Sequence, residues 1–380
     1  MENLEFRILQ RIIAGPNTLK EVGKLTRELG GQRVLVVSDQ NVVQAGHLEK
    51  VLFSLREANL VPFVFDKVEE NPTTRHVKIG VGCARENGPI DFIVAVGGGS
   101  VMDCAKGINF LFTNGGSMED YRGANKASCP MLTSIGVPTT AGTGSEAQSF
   151  AIIAQEETGL KMACGDNKAL FQGVILDPVV TLSMPSNVTA ITAMDAISHA
   201  LESYVCTRRN LISQMFAKEA WARLYVNYRV VFKDPQDLKA REQMLWGAYL
   251  AGVAIENSML GATHACANPL TERFRIVHGV AVGLMLPHVI RFNGVVANEL
   301  YEDLLRVVGL SCQQGGAYCM GRLLEEIRQA GNLPDKLRDC HVQESCLGHL
   351  AQQAMGQWTG KFNPRGLIEK DYLSLYKQAY

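Results

Sequence analysis

Neither sign of charge dominates this 380-residue chain, in which 37 lysines and arginines stand against 38 aspartates and glutamates. A balanced chain carries no broad field toward nucleic acid or an acidic membrane surface, so neither is expected as a partner. Long apolar runs are also lacking. The most apolar stretch, residues 92–112, is interrupted by Asp103 and Lys106, and no membrane span is expected. The opening residues, Met1-Glu2-Asn3-Leu4-Glu5-Phe6-Arg7, lack the basic-then-apolar layout of a secretory signal. The 10 cysteines lie singly between Cys83 and Cys346 with no CxxC pair. That pattern is expected of reduced thiols in a cytoplasmic protein, and it argues against a thiolate metal site. Internal repeats and low-complexity tracts are missing too.

The residues that are present describe a globular chain, 47% hydrophobic and 20% charged, with enough length for two cores. In the first half, β-rich runs at 33–38, 61–65, 92–96, 131–137 and 173–176 alternate with helical patterns such as 18–29 and 42–58. Strands alternating with helices predict a parallel, doubly wound sheet covered on both faces, a Rossmann-like α/β domain. After Asp177-Pro178 the apolar spacing turns helical, at 187–202, 211–228, 238–256 and 300–309. The breakers around Pro185 divide an α/β domain, residues 1–185, from an all-α domain, residues 186–380.

The run at 92–96 leads directly into Gly97-Gly98-Gly99-Ser100 and then a helical pattern. Glycines admit a ligand close to the backbone, and free N–H groups at a helix start suit a pyrophosphate. A tight turn without a ligand fits the same letters. A second loop, Pro138-Thr139-Thr140-Ala141-Gly142-Thr143-Gly144-Ser145-Glu146, follows another strand, where open α/β sheets bind ligands. Asp39 ends the run at 33–38; it either accepts a ribose diol, favouring NAD over NADP, or caps the next helix.

Asp195 and His199 stand at i and i+4, on one face of a helix. A capping Asp with a solvated His would explain that pair alone. His264 and His278 add two imidazoles in apolar surroundings, although the chain has only 8 histidines. Three imidazoles and one carboxylate suit Fe²⁺ or Zn²⁺ rather than Mg²⁺ or Ca²⁺. His47, His76, His341 and His349 are expected at the surface, and His288 as a core histidine rather than a fifth ligand.

Together these motifs resemble the iron-containing (group III) alcohol dehydrogenases. The marks are Asn71-Pro72-Thr73, Gly97-Gly98-Gly99-Ser100 with Asp103, Ala105 and Lys106, the 138–146 loop, and Leu176-Asp177-Pro178. They continue through Met194-Asp195-Ala196, His199-Ala200, Glu202, His278-Gly279 and Leu286-Pro287-His288-Val289. The resemblance implies the dehydroquinate synthase-like fold of that family, with the active site between its two domains. It assigns Asp195, His199, His264 and His278 to the metal, and Gly97, Gly98, Gly99 and Ser100 to the pyrophosphate. Asn71, Thr139, Thr140, Thr143 and Lys161 fall to the nicotinamide and ribose. It further implies a cytoplasmic homodimer or larger homo-oligomer using NAD(H) and one divalent ion, Fe²⁺ before Zn²⁺.

The expected activity is hydride transfer between NAD(H) and a small primary alcohol or aldehyde, with the metal as Lewis acid. Three positions depart from the family pattern: Asn268 where a second histidine is common, Ala193 where glycine is, and the stretch 168–171, which lacks a proline. Asparagine cannot carry a proton at neutral pH, so any relay through residue 268 is lost. The alternatives are a glycerol dehydrogenase- or dehydroquinate synthase-like metalloenzyme, a metal-free maleylacetate reductase, and a catalytically silent NAD-binding assembly protein. Arg208, Arg209, Arg273 and Arg275 flank the ligand segments and are read as solvated surface or subunit contacts before any role in binding an anion.

Overall fold

A computed structural model describes residues 10–380, so the N-terminal reading of Met1 to Arg7 lies outside the described residues. The chain divides into two compact units, Met1–Thr140 with Gly144–Ser183, and Ala141–Thr143 with Met184–Tyr380.

Among the described residues the first unit holds nine strands: β1 (Arg11–Ala14), β2 (Arg33–Val37), β3 (Val61–Phe65), β4 (Phe92–Gly97), β5 (Gly123–Ala124), β6 (Thr133–Pro138), β7 (Phe150–Ala154), β8 (Lys161–Gly165) and β9 (Gly173–Leu176). Its helices are α1 (Val22–Glu28), α2 (Gln40–Gln44), α3 (His47–Glu57), α4 (Thr74–Glu86) and α5 (Gly99–Asn114). Six strands form one sheet in the order β1-β9-β6-β4-β2-β3, every pair parallel. Val34, Val36, Phe92, Val94 and Val96 pack with Val22, Leu25, Val51 and Leu55 of α1 and α3 on one face. Leu35, Ile93 and Ala95, one residue out of phase, are also buried. A strand apolar on both faces belongs inside a covered parallel sheet.

Strands β3-β2-β4-β6-β9 reproduce the 2-1-3-4-5 order of doubly wound sheets, rather than the 3-2-1-4-5-6 order, with β1 added at one edge. In that order the chain reverses direction between β2 and β4, and ligands bind beyond the carboxyl ends of the strands there. Asp39 follows β2 and Gly98 follows β4, so both lie at this switch point. β7 and β8 pair antiparallel, with β5 beside β8, in a second small sheet.

The second unit is helical: α6 (Ser186–Val205), α7 (Leu211–Lys233), α8 (Leu238–Glu256), α9 (Ala262–Phe274), α10 (His278–Val307), α11 (Gly316–Ala330), α12 (Leu347–Met355) and α13 (Glu369–Ala379). Its core draws on Met194, Trp221, Leu245, Cys266, Met285 and Tyr376. By length and composition α10 could cross a membrane, yet 67% of its apolar window is buried inside the protein, as in a core helix. The stretch 92–112 is instead a strand, a turn and a helix.

Several expectations are corrected. The pattern at 18–29 is helical as expected, a short 3₁₀ turn leading into α1, but 42–58 is broken at Gly46, whose φ of 74° ends α2 before α3 begins. His47 and His76 are buried rather than exposed. His47 Nε2 meets Ser183 Oγ at 3.0 Å, and His76 Nδ1 accepts from the Thr73 N–H at 3.1 Å at the start of α4. His341 and His349 are exposed as expected, while His288 is half-buried and desolvation pushes its pKa down to about 4. Cys312 and Cys319 form a disulfide, so not every cysteine is a free thiol.

Candidate active site

The glycine turn takes its shape from close approaches. Gly97 ends β4, where a Cβ would collide with Val101, and Gly98 lies so near Thr140 that a Cβ would stand 3.3 Å from Thr140 Oγ1. The Thr139 N–H donates to the Gly97 carbonyl at 3.0 Å, which draws the loops after β4 and β6 together. α5 begins at Gly99, and Ser100 Oγ accepts from the Asn71 N–H at 3.3 Å. Asn71 adopts a left-handed φ of 53°, tolerable for asparagine. Asn71, Gly97, Gly98, Gly99, Ser100, Thr139 and Thr140 therefore form one connected neighbourhood of backbone, hydroxyl and amide groups.

Asp39 does cap α2, with Oδ1 accepting from the Asn41 and Val42 N–H groups at 2.8 and 3.0 Å. Both bonds use the same oxygen, which leaves Oδ2 for another donor. The two readings of this aspartate are therefore compatible. Thr143 belongs to a short stretch grouped with the helical unit, where Gly142 packs so tightly on α6 that a Cβ would lie 2.6 Å from Thr192 Cβ. Lys161 opens β8, near enough to Asp103 to help lower a carboxyl pKa that burial raises. Lys106, 2% exposed, donates to the Ser145 carbonyl at 2.7 Å, to Ser145 Oγ at 2.9 Å and to the Phe150 carbonyl at 2.8 Å. Ser145 Oγ donates in turn to Asp103 at 2.6 Å. The Asp103 and Lys106 motif residues thus anchor the far end of the 138–146 loop.

In the helical unit, Asp195 and His199 share a face of α6, His264 sits in the first turn of α9, and His278 opens α10. Gly279 allows α10 to start against α6, since a Cβ there would collide with the Ile191 carbonyl. Asp195, His199 and His264, all buried, bring their ligand atoms within 4.8 Å of one another. His199 Nε2 faces His264 Nε2 at 3.1 Å, and Asp195 Oδ1 lies 3.4 Å from the first and 3.6 Å from the second. His278 Nε2 stands 3.8 Å from the same oxygen, with a side chain still 27% exposed. Four ligands about 2.1 Å from a tetrahedral ion lie about 3.4 Å apart. These separations bracket that value.

Asp195 Oδ1 is buried and accepts no hydrogen bond, an arrangement that costs free energy unless a cation meets it. Burial alone would raise the Asp195 carboxyl, but the histidines around it hold it well below the usual carboxylate range. Desolvation takes His199 down to about 4. His264 is taken the other way: burial opposes protonation, yet Asp195 and Glu202 bring it up to about 9. Positive charge is thus favoured on His264 beside the two carboxylates and disfavoured on His199, and a divalent ion would supply it without a proton.

Glu202 is the residue whose role the sequence reading missed. Its Oε2 accepts from His264 Nδ1 at 2.6 Å and its Oε1 from the Thr263 N–H at 2.7 Å. The first bond keeps a proton on Nδ1 and turns Nε2 toward Asp195 and His199, where it could serve as a ligand atom once its own proton is lost, the usual service of a carboxylate behind a metal-binding histidine. A signal was available, because residues 195, 199 and 202 share one helical face. Asn268, half-buried on α9, donates to Gln357 Oε1 at 3.0 Å. Elsewhere, a cleft of about 850 Å³ beside α1 and α3 is lined by residues such as Lys24, Lys50 and Phe53 and by none of the candidate residues.

The family model "Iron-containing alcohol dehydrogenase" matches residues 10–178, and "Fe-containing alcohol dehydrogenase family, C-terminal" matches residues 189–380. A 1,3-propanediol dehydrogenase of Citrobacter freundii is 33% identical over 376 residues, covering 96% of this chain and 96% of the relative. An NAD-dependent methanol dehydrogenase of Bacillus methanolicus is 30% identical over 371 residues, covering 97% of each. The solved structure of a 1,3-propanediol oxidoreductase superposes with a TM-score of 0.93 at 32% identity, over 97% of both chains.

Proposed function

The chain belongs to the iron-containing alcohol dehydrogenase family, and on that premise we propose that it interconverts a small primary alcohol and its aldehyde using NAD(H) and one divalent ion, Fe²⁺ before Zn²⁺. The observation that carries this reading is the buried, unpartnered Asp195 Oδ1 facing His199 and His264 at metal-ligand spacing. His278, exposed enough to face an incoming molecule, completes the ligand set. An ion held there supplies Lewis acidity to the substrate oxygen, and NAD(H) supplies or accepts the hydride.

The chain's own residues do the rest. Asp195 and Glu202, both buried carboxylates, match the charge of a dication while the three imidazoles stay neutral. Glu202 holds His264 in one tautomer and one orientation. On the α/β unit, Gly97, Gly98, Gly99 and Ser100 present backbone to a pyrophosphate at the start of α5. The free oxygen of Asp39 accepts a ribose hydroxyl and disfavours a ribose phosphate, which selects NAD over NADP. Asn71, Thr139, Thr140, Thr143 and Lys161 line the ribose and nicotinamide. The same reading extends to a homodimer or larger homo-oligomer in the cytoplasm.

Oxidation of NADH with a panel of short aldehydes tests the reading, after the metal is stripped with a chelator and Fe²⁺ or Zn²⁺ is restored separately. Activity lost on chelation and recovered with one ion is expected. Full activity in the chelated protein overturns the metal requirement. Measured NADH binding without turnover of any aldehyde under either ion overturns the alcohol dehydrogenase reading.

A further inference from the structure

His264 lies two residues inside the start of α9, so its position depends on how that end of the helix is held. The first N–H groups of a helix have no partners within it, and the residue before α9 is Gly261, which has no side chain to cap them. Two distant residues supply the partners. Glu202 accepts from the Thr263 N–H at 2.7 Å, and Asn363 Oδ1 accepts from the Ala262 N–H at 3.2 Å. Gly261 is packed beneath both, since a Cβ there would stand 3.0 Å from Glu202 Oε1 and 3.1 Å from Asn363 Oδ1.

Asn363 is itself locked. Its Nδ2 donates to Asn293 Oδ1 at 2.6 Å and to the Arg365 carbonyl at 2.7 Å, while Asn293 Nδ2 donates back to Asn363 Oδ1 at 3.1 Å. The two amides are 3% and 2% exposed. Arg365 ties the same turn to α10 a second time, donating to the Phe292 carbonyl at 2.9 Å with its guanidinium 3.9 Å from the Phe292 ring centre. Reciprocal bonding between two buried amides fixes direction as well as distance, and leaving either one unpaired is costly.

Resting on the proposed metal centre, we infer that Asn363, held by Asn293, is a positioning residue that caps α9 from a remote turn and fixes His264 against Asp195 and His199. The pair also joins α9, which carries His264, to α10, which carries His278. A residue behind a ligand acts on affinity and geometry at the ion, typically by 10- to 100-fold in metal affinity.

The test uses Co²⁺, whose visible spectrum reports ligand geometry directly, added to the metal-stripped full chain. Asn363→Ala is expected to weaken Co²⁺ binding by about 10- to 100-fold and to alter the visible bands, with NADH affinity unchanged. Asn293→Ala, in which Asn363 keeps its bond to the Arg365 carbonyl, is expected to do the same more mildly and serves if Asn363→Ala does not fold. A folded variant of either kind with wild-type Co²⁺ affinity and spectrum overturns the inference. Wild-type protein that binds no Co²⁺ overturns the metal reading first, a failure visible before any substitution is made.

Discussion

Glu146 in the α/β unit and Asp195 in the helical unit are both buried carboxylates, 3% and 5% exposed, and burial pushes both pKa values up. They end far apart. Glu146 rises to about 7, because desolvation is only partly offset by its own backbone N–H and by Lys106, and Asp103 adds to it. Asp195 is held below the ordinary carboxylate range by three histidines. A carboxylate kept charged in a buried setting, with an oxygen that nothing donates to, is arranged for a cation. One allowed to approach neutrality beside an anchored loop is arranged for packing. Charge thus gathers at Asp195 and its histidines in the helical unit and at Asp103 and Lys106 in the α/β unit, while the candidate cofactor site at the switch point is built mainly of backbone, hydroxyls and small residues.

The sharpest way to break that contrast is His264→Ala. Removing one imidazole beside Asp195 leaves too few donors, so metal affinity is expected to fall at least about 100-fold and kcat/KM at least about 1000-fold, the loss of several kcal/mol of Lewis-acid stabilisation. NADH affinity, measured by fluorescence titration, is expected to stay within about twofold. A matching loss of NADH affinity would show that the two sites do not divide the work as argued.

Glu146→Gln tests the other carboxylate. Its folded pKa, about 7, lies above the ordinary value of 4.5, so the folded state keeps a proton that the unfolded state releases. The resulting stability is fully present below about pH 4.5 and is lost as pH rises through about 7, on the order of 3 kcal/mol in all. Glutamine removes that dependence. The variant is expected to melt several degrees above wild type at pH 8 and to match it near pH 4.5; parallel melting curves at both pH values would refute the assignment.

A smaller effect is expected from Gly98→Ala. The new Cβ would stand 3.3 and 3.4 Å from Thr140 Oγ1 and Cγ2, so the loops after β4 and β6 must separate by a few tenths of an ångström. NADH is expected to bind about tenfold more weakly, or about 1.4 kcal/mol, with metal content unchanged by elemental analysis. Unaltered NADH affinity would return this turn to the status of a strand-to-helix connection without a ligand.

What the sequence showed of these two regions followed from periodicity and local spacing. Strands β2, β4 and β9 are apolar runs buried on both faces, β3 and β6 are short β-rich runs between helical patterns, and Asp195 with His199 is a helical pair, so each is written within a few residues. β1 escaped because it is a four-residue edge strand whose partner, β9, lies about 160 residues later. β7 and β8 escaped because a short antiparallel pair interrupts the strand-helix rhythm that reveals the main sheet. His47 and His76 sit among polar neighbours in sequence, but their partners, Ser183 and the Thr73 cap, come from the fold. Asn363 and Asn293 carry no local signal, since their importance arises from meeting each other across 70 residues.

The slightest expected change concerns Arg275, which ends α9 in the left-handed region at φ 54° and ψ 28°, three residues before His278. A bulky residue there is strained, whereas glycine occupies the position without penalty and is favoured after a helix end. Arg275→Gly is expected to raise stability by about 0.5 to 1 kcal/mol in denaturant unfolding, the lost strain exceeding glycine's added freedom in the unfolded chain. Arg275→Ala, which removes the guanidinium but keeps the strain, is expected to change nothing comparable. If the backbone at Arg275 merely turns the chain, both variants bind metal as wild type does. If Arg275→Gly gains stability while losing metal affinity, and Arg275→Ala does neither, the strain aims His278, and the helical unit then shapes its site through backbone as well as side chains.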